Sequence, residues 1–286
     1  MSLFVKKHPI LSYYVLAFAI SWGAILVVVG PSGFISMTGT SPSFALVGLA
    51  SLLGPGLAGM LMIGVGDGRA GFRELRSRLR RWRVGGRWYA VALLTAPLVT
   101  IATLLALSLT STTFLPAILT EDDKASLLLA GLTTGLIVPL FEEVGWTGFA
   151  TPRFRLRRSI LGTGVVMGLL WGAWHFPLFA GTAASSGAIH PVLYLGTMLF
   201  SWLVPYRVLM VWVYDRTTSL LVAMVMHVPI TVSQYVLRPA AIPAEATFVS
   251  LVVYAAALWA VVGAVALANG GRLVQWRPDS TRQGLQ

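Results

Sequence analysis

Uncharged stretches of close to twenty residues recur along the chain at about 11–30, 43–65, 88–108, 125–145, 160–180, 192–213, 219–237 and 247–268. About twenty apolar residues in a helix cross the hydrocarbon of a bilayer. A helix is also the open-chain structure that satisfies its own backbone there. The pattern predicts an all-α, polytopic integral membrane protein of about eight transmembrane helices. Composition agrees: 56% of residues are hydrophobic and 11% charged, with a mean hydropathy of +0.78, where soluble domains carry about 25% charged residues. The fourth and fifth stretches are the least regular. "FEEVGWTGFATPRFRLRR" adds charge to the end of one, and Pro177 interrupts the end of the other.

Charge sets the expected orientation. Lys6 and Lys7 precede the first span. Arg69, Arg73, Arg76, Arg78, Arg80, Arg81, Arg83 and Arg87 follow the second, and Arg153, Arg155, Arg157 and Arg158 the fourth. Arg216 follows the sixth, and Arg272, Arg277 and Arg282 the eighth, whereas the opposite side has Lys124 and Arg238. Basic residues gather on the cytoplasmic side, so both termini are expected there. The net charge of +11 then reflects topology and contact with anionic lipid, and no nucleic-acid partner is expected. The 66–87 loop, with "RELRSRLRRWRV", reads either as a basic interfacial helix or as a solvated charged loop.

Several classes drop out. The chain has no cysteine, hence no disulfide framework, thiolate nucleophile or cysteine metal site. The first apolar run is too long for a typical removed signal peptide. No soluble domain stands apart, so 1–286 reads as one transmembrane domain. No internal repeat is evident, which argues against the inverted-repeat transporters. Arginine outnumbers lysine 18 to 3 in an Ala- and Gly-rich chain, a composition that points to a GC-rich bacterium and its cytoplasmic membrane.

Ionisable residues within the spans are costly and mark function by default. They are Glu142, Glu143, His175, Arg207 and His227. At about 1.5 Å per residue, the glutamates, Arg207 and His227 lie roughly 12–16 Å from their cytoplasmic flanks, and His175 roughly 24 Å. A single intramembrane histidine is often only hydrogen-bonded to a neighbouring helix. Two glutamates and two histidines from three helices at overlapping depth favour a site. Successive helix positions differ by about 100°, so one glutamate faces that site and the other needs a second partner. A carboxylate and imidazoles in a dry cavity can activate water, share its proton and stabilise negative charge. Neither a Ser-His-Asp arrangement nor H-E-x-x-H is visible.

In order, "EEVGWTGFATPRF", "WGAWHFPLF" and "YDRTTSLLVAMVMHVPIT" resemble the three motifs of the CPBP intramembrane proteases. That family includes type II CAAX prenyl endopeptidases and bacterial Abi-type bacteriocin-processing or immunity proteins. The resemblance covers 142–231 well and 125–237 as a core. It implies a glutamate-dependent endopeptidase without a metal cofactor, acting near the cytoplasmic side on a peptide or membrane-anchored protein, CAAX-like or otherwise. It makes Glu142 the general base, His175 the residue that positions water, and His227 with Thr231 the holders of the oxyanion, with Glu143 in support. Trp146 and Pro152 also look like family positions, though a tryptophan at a helix end is more often an interface anchor.

The chain departs from the family at Thr147, where arginine is frequent, at Trp171, in place of phenylalanine, and at Thr231, in place of asparagine. The aromatic exchange reads as mild. Thr147 leaves Glu143 without its i+4 cation. Arg207 is expected to supply that cation from another helix, with snorkelling to the interface as the alternative. Competing readings are a zinc protease using Glu142, His175 and His227, a proton-coupled transporter, and a catalytically silent immunity or scaffold protein.

Overall fold

The computed structural model describes residues 3–239 and 242–274; Arg277 and Arg282 lie outside the described residues. Among the described residues the fold is helical throughout, without strands. The longer helices are α1 (Pro9–Ser36), α2 (Phe44–Gly66), α3 (Gly68–Leu79), α4 (Gly86–Ser108) and α5 (Lys124–Glu143). They continue with α6 (Ile160–Trp174), α7 (Phe176–Ala183), α8 (Pro191–Phe200), α9 (Leu203–Thr217), α10 (Leu220–Val236) and α11 (Ala244–Ala268). A π-helical turn, Val144–Ala150, extends α5 into Thr151–Arg155.

Six runs among the described residues are long and apolar enough to cross a membrane: α1, α2, α4, Lys124–Arg155, Pro191–Thr217 and α11. The expected fifth span is a bent pair, α6 and α7 meeting at 63°, which makes a seventh if counted as one span. Pro177 sits at the start of α7. There it tolerates the loss of an N–H but fits no continuous helix. The expected seventh span is α10, whose 17 residues rise only about 25 Å, short of a hydrocarbon core about 30 Å thick. The eight apolar stretches thus all form helices, of unequal kinds.

These helices pack inside out. On α5, Gly131, Gly135 and Pro139 are buried while Leu129, Leu132, Leu136 and Leu140 are exposed. On α2, Ser51, Gly54 and Ala58 are buried while Leu49, Leu53 and Leu57 face outward. Lipid solvates leucine as well as a protein interior does, so close helix contact selects small residues. The protein is a multi-pass membrane protein.

The same rule seats α6 against the run of α8 and α9. Gly164, Gly168 and Gly172 form a stripe at four-residue spacing, facing Val208, Val204 and Leu199. A Cβ built at Gly168 would lie 2.6 Å from the Val204 Cα, a clash with backbone. Gly168→Ala gains about 1 kcal/mol in helix propensity but overpacks the seam, at about 1–3 kcal/mol. A net fall in melting temperature in detergent is expected. Gly263→Ala in α11, where an added Cβ meets nothing within 4 Å, should be neutral or stabilising. If both variants melt alike, the stripe does not hold the helices together.

Candidate active site

Glu142 and Glu143 close α5 and are 2% and 0% exposed. Just beyond them the π turn admits an extra residue per turn, as π bulges do at functional sites. The Trp146 carbonyl accepts the Thr151 backbone N–H, five residues on, and the Thr151 hydroxyl as well, at 2.9 Å. The turn is pressed against α2: a Cβ on Gly59 would lie 2.9 Å from the Gly145 Cα, and one on Gly145 would collide with the Pro55 carbonyl and the Tyr13 hydroxyl. Two backbones therefore meet directly behind the carboxylates.

The adjacent glutamates diverge, as one helical step requires. Glu142 Oε2 accepts from the indole N–H of Trp146 at 3.1 Å and of Trp171 at 2.8 Å. Glu143 faces the cation expected from α9: Arg207 Nη1 donates to Oε2 at 3.0 Å and Nη2 to Oε1 at 3.1 Å. Arg207 is 1% exposed, so it does not snorkel. His227 Nδ1 sits 2.8 Å from Glu143 Oε1, and the Thr147 hydroxyl donates to Oε2. Position 147 is thus not a missing partner, since threonine supplies a hydroxyl where the family often has a guanidinium. Glu143 is saturated on both oxygens, whereas among the described residues no protein donor reaches Glu142 Oε1.

His175 lies at the bend between α6 and α7. Its Nδ1 is 2.8 Å from the Trp171 carbonyl; a carbonyl can only accept, so this partner assigns the proton to Nδ1 and leaves Nε2 outward. His175 and His227 both meet Trp171 edge-on, with ring centroids 5.7 and 5.3 Å away. The Arg207 guanidinium carbon lies 4.2 Å from the Trp171 ring centroid, a cation–π contact. Thr231, one turn beyond His227, donates its hydroxyl to the His227 carbonyl at 3.3 Å.

The structure therefore brings Glu142, Glu143, His175 and His227 together around Trp171, a residue the sequence reading treated as a mild aromatic change. The change is not mild: phenylalanine could fill the space but could not donate to Glu142. Trp146 is no interface anchor either. It is buried, stacked against Tyr14 with centroids 5.5 Å apart, and bonded to Glu142. The signal for both tryptophans was their i,i+4 spacing from Glu142 and His175. Depth arithmetic put His175 deeper than the rest; in the structure its ring meets Trp171, which bonds Glu142.

Comparison with known proteins finds similarity over the stretch of chain that carries these residues. Residues 124–233 match the model of the type II CAAX prenyl endopeptidase family, Rce1-like. Over this stretch the chain is similar to that family. A CAAX prenyl protease 2 of Methanococcus maripaludis is 27% identical over 104 residues, which cover 36% of this chain and 38% of that protein. The matched stretch runs from the start of α5 into α10 and carries Glu142, Glu143, His175, His227, Trp171 and Arg207. The CPBP resemblance of the three motifs is upheld over this stretch.

Proposed function

We propose that the protein is an intramembrane endopeptidase that hydrolyses a peptide bond of a membrane-anchored protein, with Glu142 as the general base. The observation that carries this reading is the asymmetry of the two carboxylates. Glu143 has both oxygens bonded and a guanidinium in front of it, so it is occupied as a structural anion. Glu142 is clamped through Oε2 by two indoles while Oε1 remains available to water.

In the step this geometry supports, Glu142 Oε1 takes a proton from water and the resulting hydroxide attacks the scissile carbonyl carbon. Its oxygen becomes an oxyanion. As the C–N bond breaks, the proton held by Glu142 passes to the leaving amine. His175, fixed through Nδ1, presents Nε2 to orient the water. His227, anchored to Glu143 through Nδ1, offers Nε2–H to the oxyanion when both ring nitrogens are protonated. Thr231 can add a second donor by releasing its bond to the His227 carbonyl. A CAAX-like substrate is the class suggested by the printed name of the relative, and cleavage near the cytoplasmic side follows from the basic loops.

The proposal includes no metal. Among the described residues no three His, Asp or Glu side chains, Glu142, His175 and His227 included, are grouped so as to hold an ion. Purified protein in proteoliposomes, given membrane-anchored peptides ending in a CAAX-like sequence, should generate new peptide termini that survive chelator treatment. Loss of cleavage on chelation with recovery on added zinc would favour a metalloprotease. Solute flux without cleavage would favour a carrier.

Trp171→Phe tests the clamp. A hydrogen bond to a charged group contributes about 1.5–3 kcal/mol, and Trp146 keeps part of the hold, so cleavage should fall about tenfold or more. The substituted benzyl ring retains aromatic packing, and the fold should be kept. Unchanged cleavage would show that the indole N–H does not position the base.

A further inference from the structure

We infer that α3 and the segment running to Arg87 form a strap that binds an anionic phospholipid surface and transmits that contact to the turn carrying the site. The strap starts where α2 ends, at the left-handed Gly68. Phe72, Leu75 and Leu79 recur on one face, and Leu75 is the member turned inward: a Cβ on Gly148 would lie 2.8 Å from its Cδ1. Phe72 and Leu79 stay exposed, as does Trp82, at 58%.

Arg69, Arg73, Arg76, Arg80, Arg81, Arg83 and Arg87 are exposed as well. The strap's acids do not neutralise them, because Glu74 pairs with Arg78 at 3.2 Å and Asp67 pairs with Arg153. Exposed aromatic and aliphatic side chains next to cations that have no ion-pair partner among the described residues, at the junction of two apolar spans, fit one surface: acyl chains below and anionic headgroups above. A soluble acidic protein would leave the apolar side chains without a partner.

The strap is also tied to the protein. Arg78 Nη1 donates to the Gly148 carbonyl at 3.1 Å and to the Tyr214 hydroxyl at 3.0 Å. Ser219 Oγ donates to the Arg81 carbonyl at 2.6 Å and Tyr89 to the Trp82 carbonyl at 2.8 Å. Gly148 belongs to the π turn whose Trp146 and Thr147 hold the two glutamates. Lipid that steadies the strap therefore steadies that turn through the Arg78 bond to the Gly148 carbonyl. This inference rests on packing and charge and stands whether or not the protein cleaves peptides.

Hydrogen–deuterium exchange of the protein in phosphatidylcholine vesicles, with and without phosphatidylglycerol, reads both parts. Amides of 68–84 should exchange about tenfold more slowly with the anionic lipid, and those of 144–150 should slow in parallel. High salt should erase the difference, as should the combined exchange Arg73→Gln, Arg76→Gln, Arg80→Gln and Arg83→Gln, all at exposed positions. Arg78→Gln should keep the slowing at 68–84 and lose it at 144–150. Equal exchange in the two vesicles, a difference that persists in high salt, or the same slowing with soluble glycerol phosphate in place of lipid would overturn the lipid assignment. Slowing at 144–150 that survives in Arg78→Gln would overturn the coupling.

Discussion

Arg207→Met is expected to destabilise the protein by about 3–5 kcal/mol, the cost of leaving one member of a buried ion pair without its partner. The pair is fully enclosed, with Arg207 1% and Glu143 0% exposed. The guanidinium makes two parallel bonds, at 3.0 and 3.1 Å, a fork that methionine cannot replace. Its stacking on Trp171 is lost at the same time. Adding Thr147→Arg should recover part of the loss, because the Thr147 side chain already reaches Glu143 Oε2 and a cation placed there restores charge balance within α5's own extension. Melting of the detergent-solubilised variants decides the matter. Wild-type stability in Arg207→Met, or no recovery in the double variant, would mean that the pair does not hold the site together.

Glu142→Gln should lower cleavage by at least about 100-fold, the usual scale for removing a general base, with little change in melting. The amide oxygen can still accept from the indoles of Trp146 and Trp171, so the clamp survives while proton acceptance does not. Glu143→Gln should behave differently. It removes the counter-ion of Arg207 and leaves a buried cation uncompensated, so stability falls along with activity. Two neighbouring carboxylates that differ in this way would separate the base from the anchor. Equal loss of stability in both variants would contradict the division of roles.

Much of this architecture was legible in the sequence because lipid imposes few rules and imposes them strictly. Apolar runs had to be helices, and an arginine in the sixth run needed a carboxylate. Glu142 and Glu143 were the acids at that depth, and reserving one as a base left Glu143 for Arg207. What stayed hidden depends on geometry finer than depth. "VGWTGFA" reads as ordinary helix, and nothing in its composition announces the π turn that follows Glu143. Trp171 was judged by ring size when its N–H mattered, because a hydrogen bond depends on direction and hydropathy does not. The bend at His175 was signalled by Pro177, but not that the ring would turn back to the Trp171 carbonyl. The 17 residues of α10 looked like a full span because the flanking Ser219 and Leu237 were counted within it.

The most direct measurement compares peptide termini in membranes that contain either the wild-type protein or Glu142→Gln at equal abundance. If the protein is an endopeptidase with Glu142 as its base, wild-type membranes should hold new termini from one or a few membrane-anchored proteins, and these should be absent with Glu142→Gln. The same termini appearing with both proteins would contradict that account.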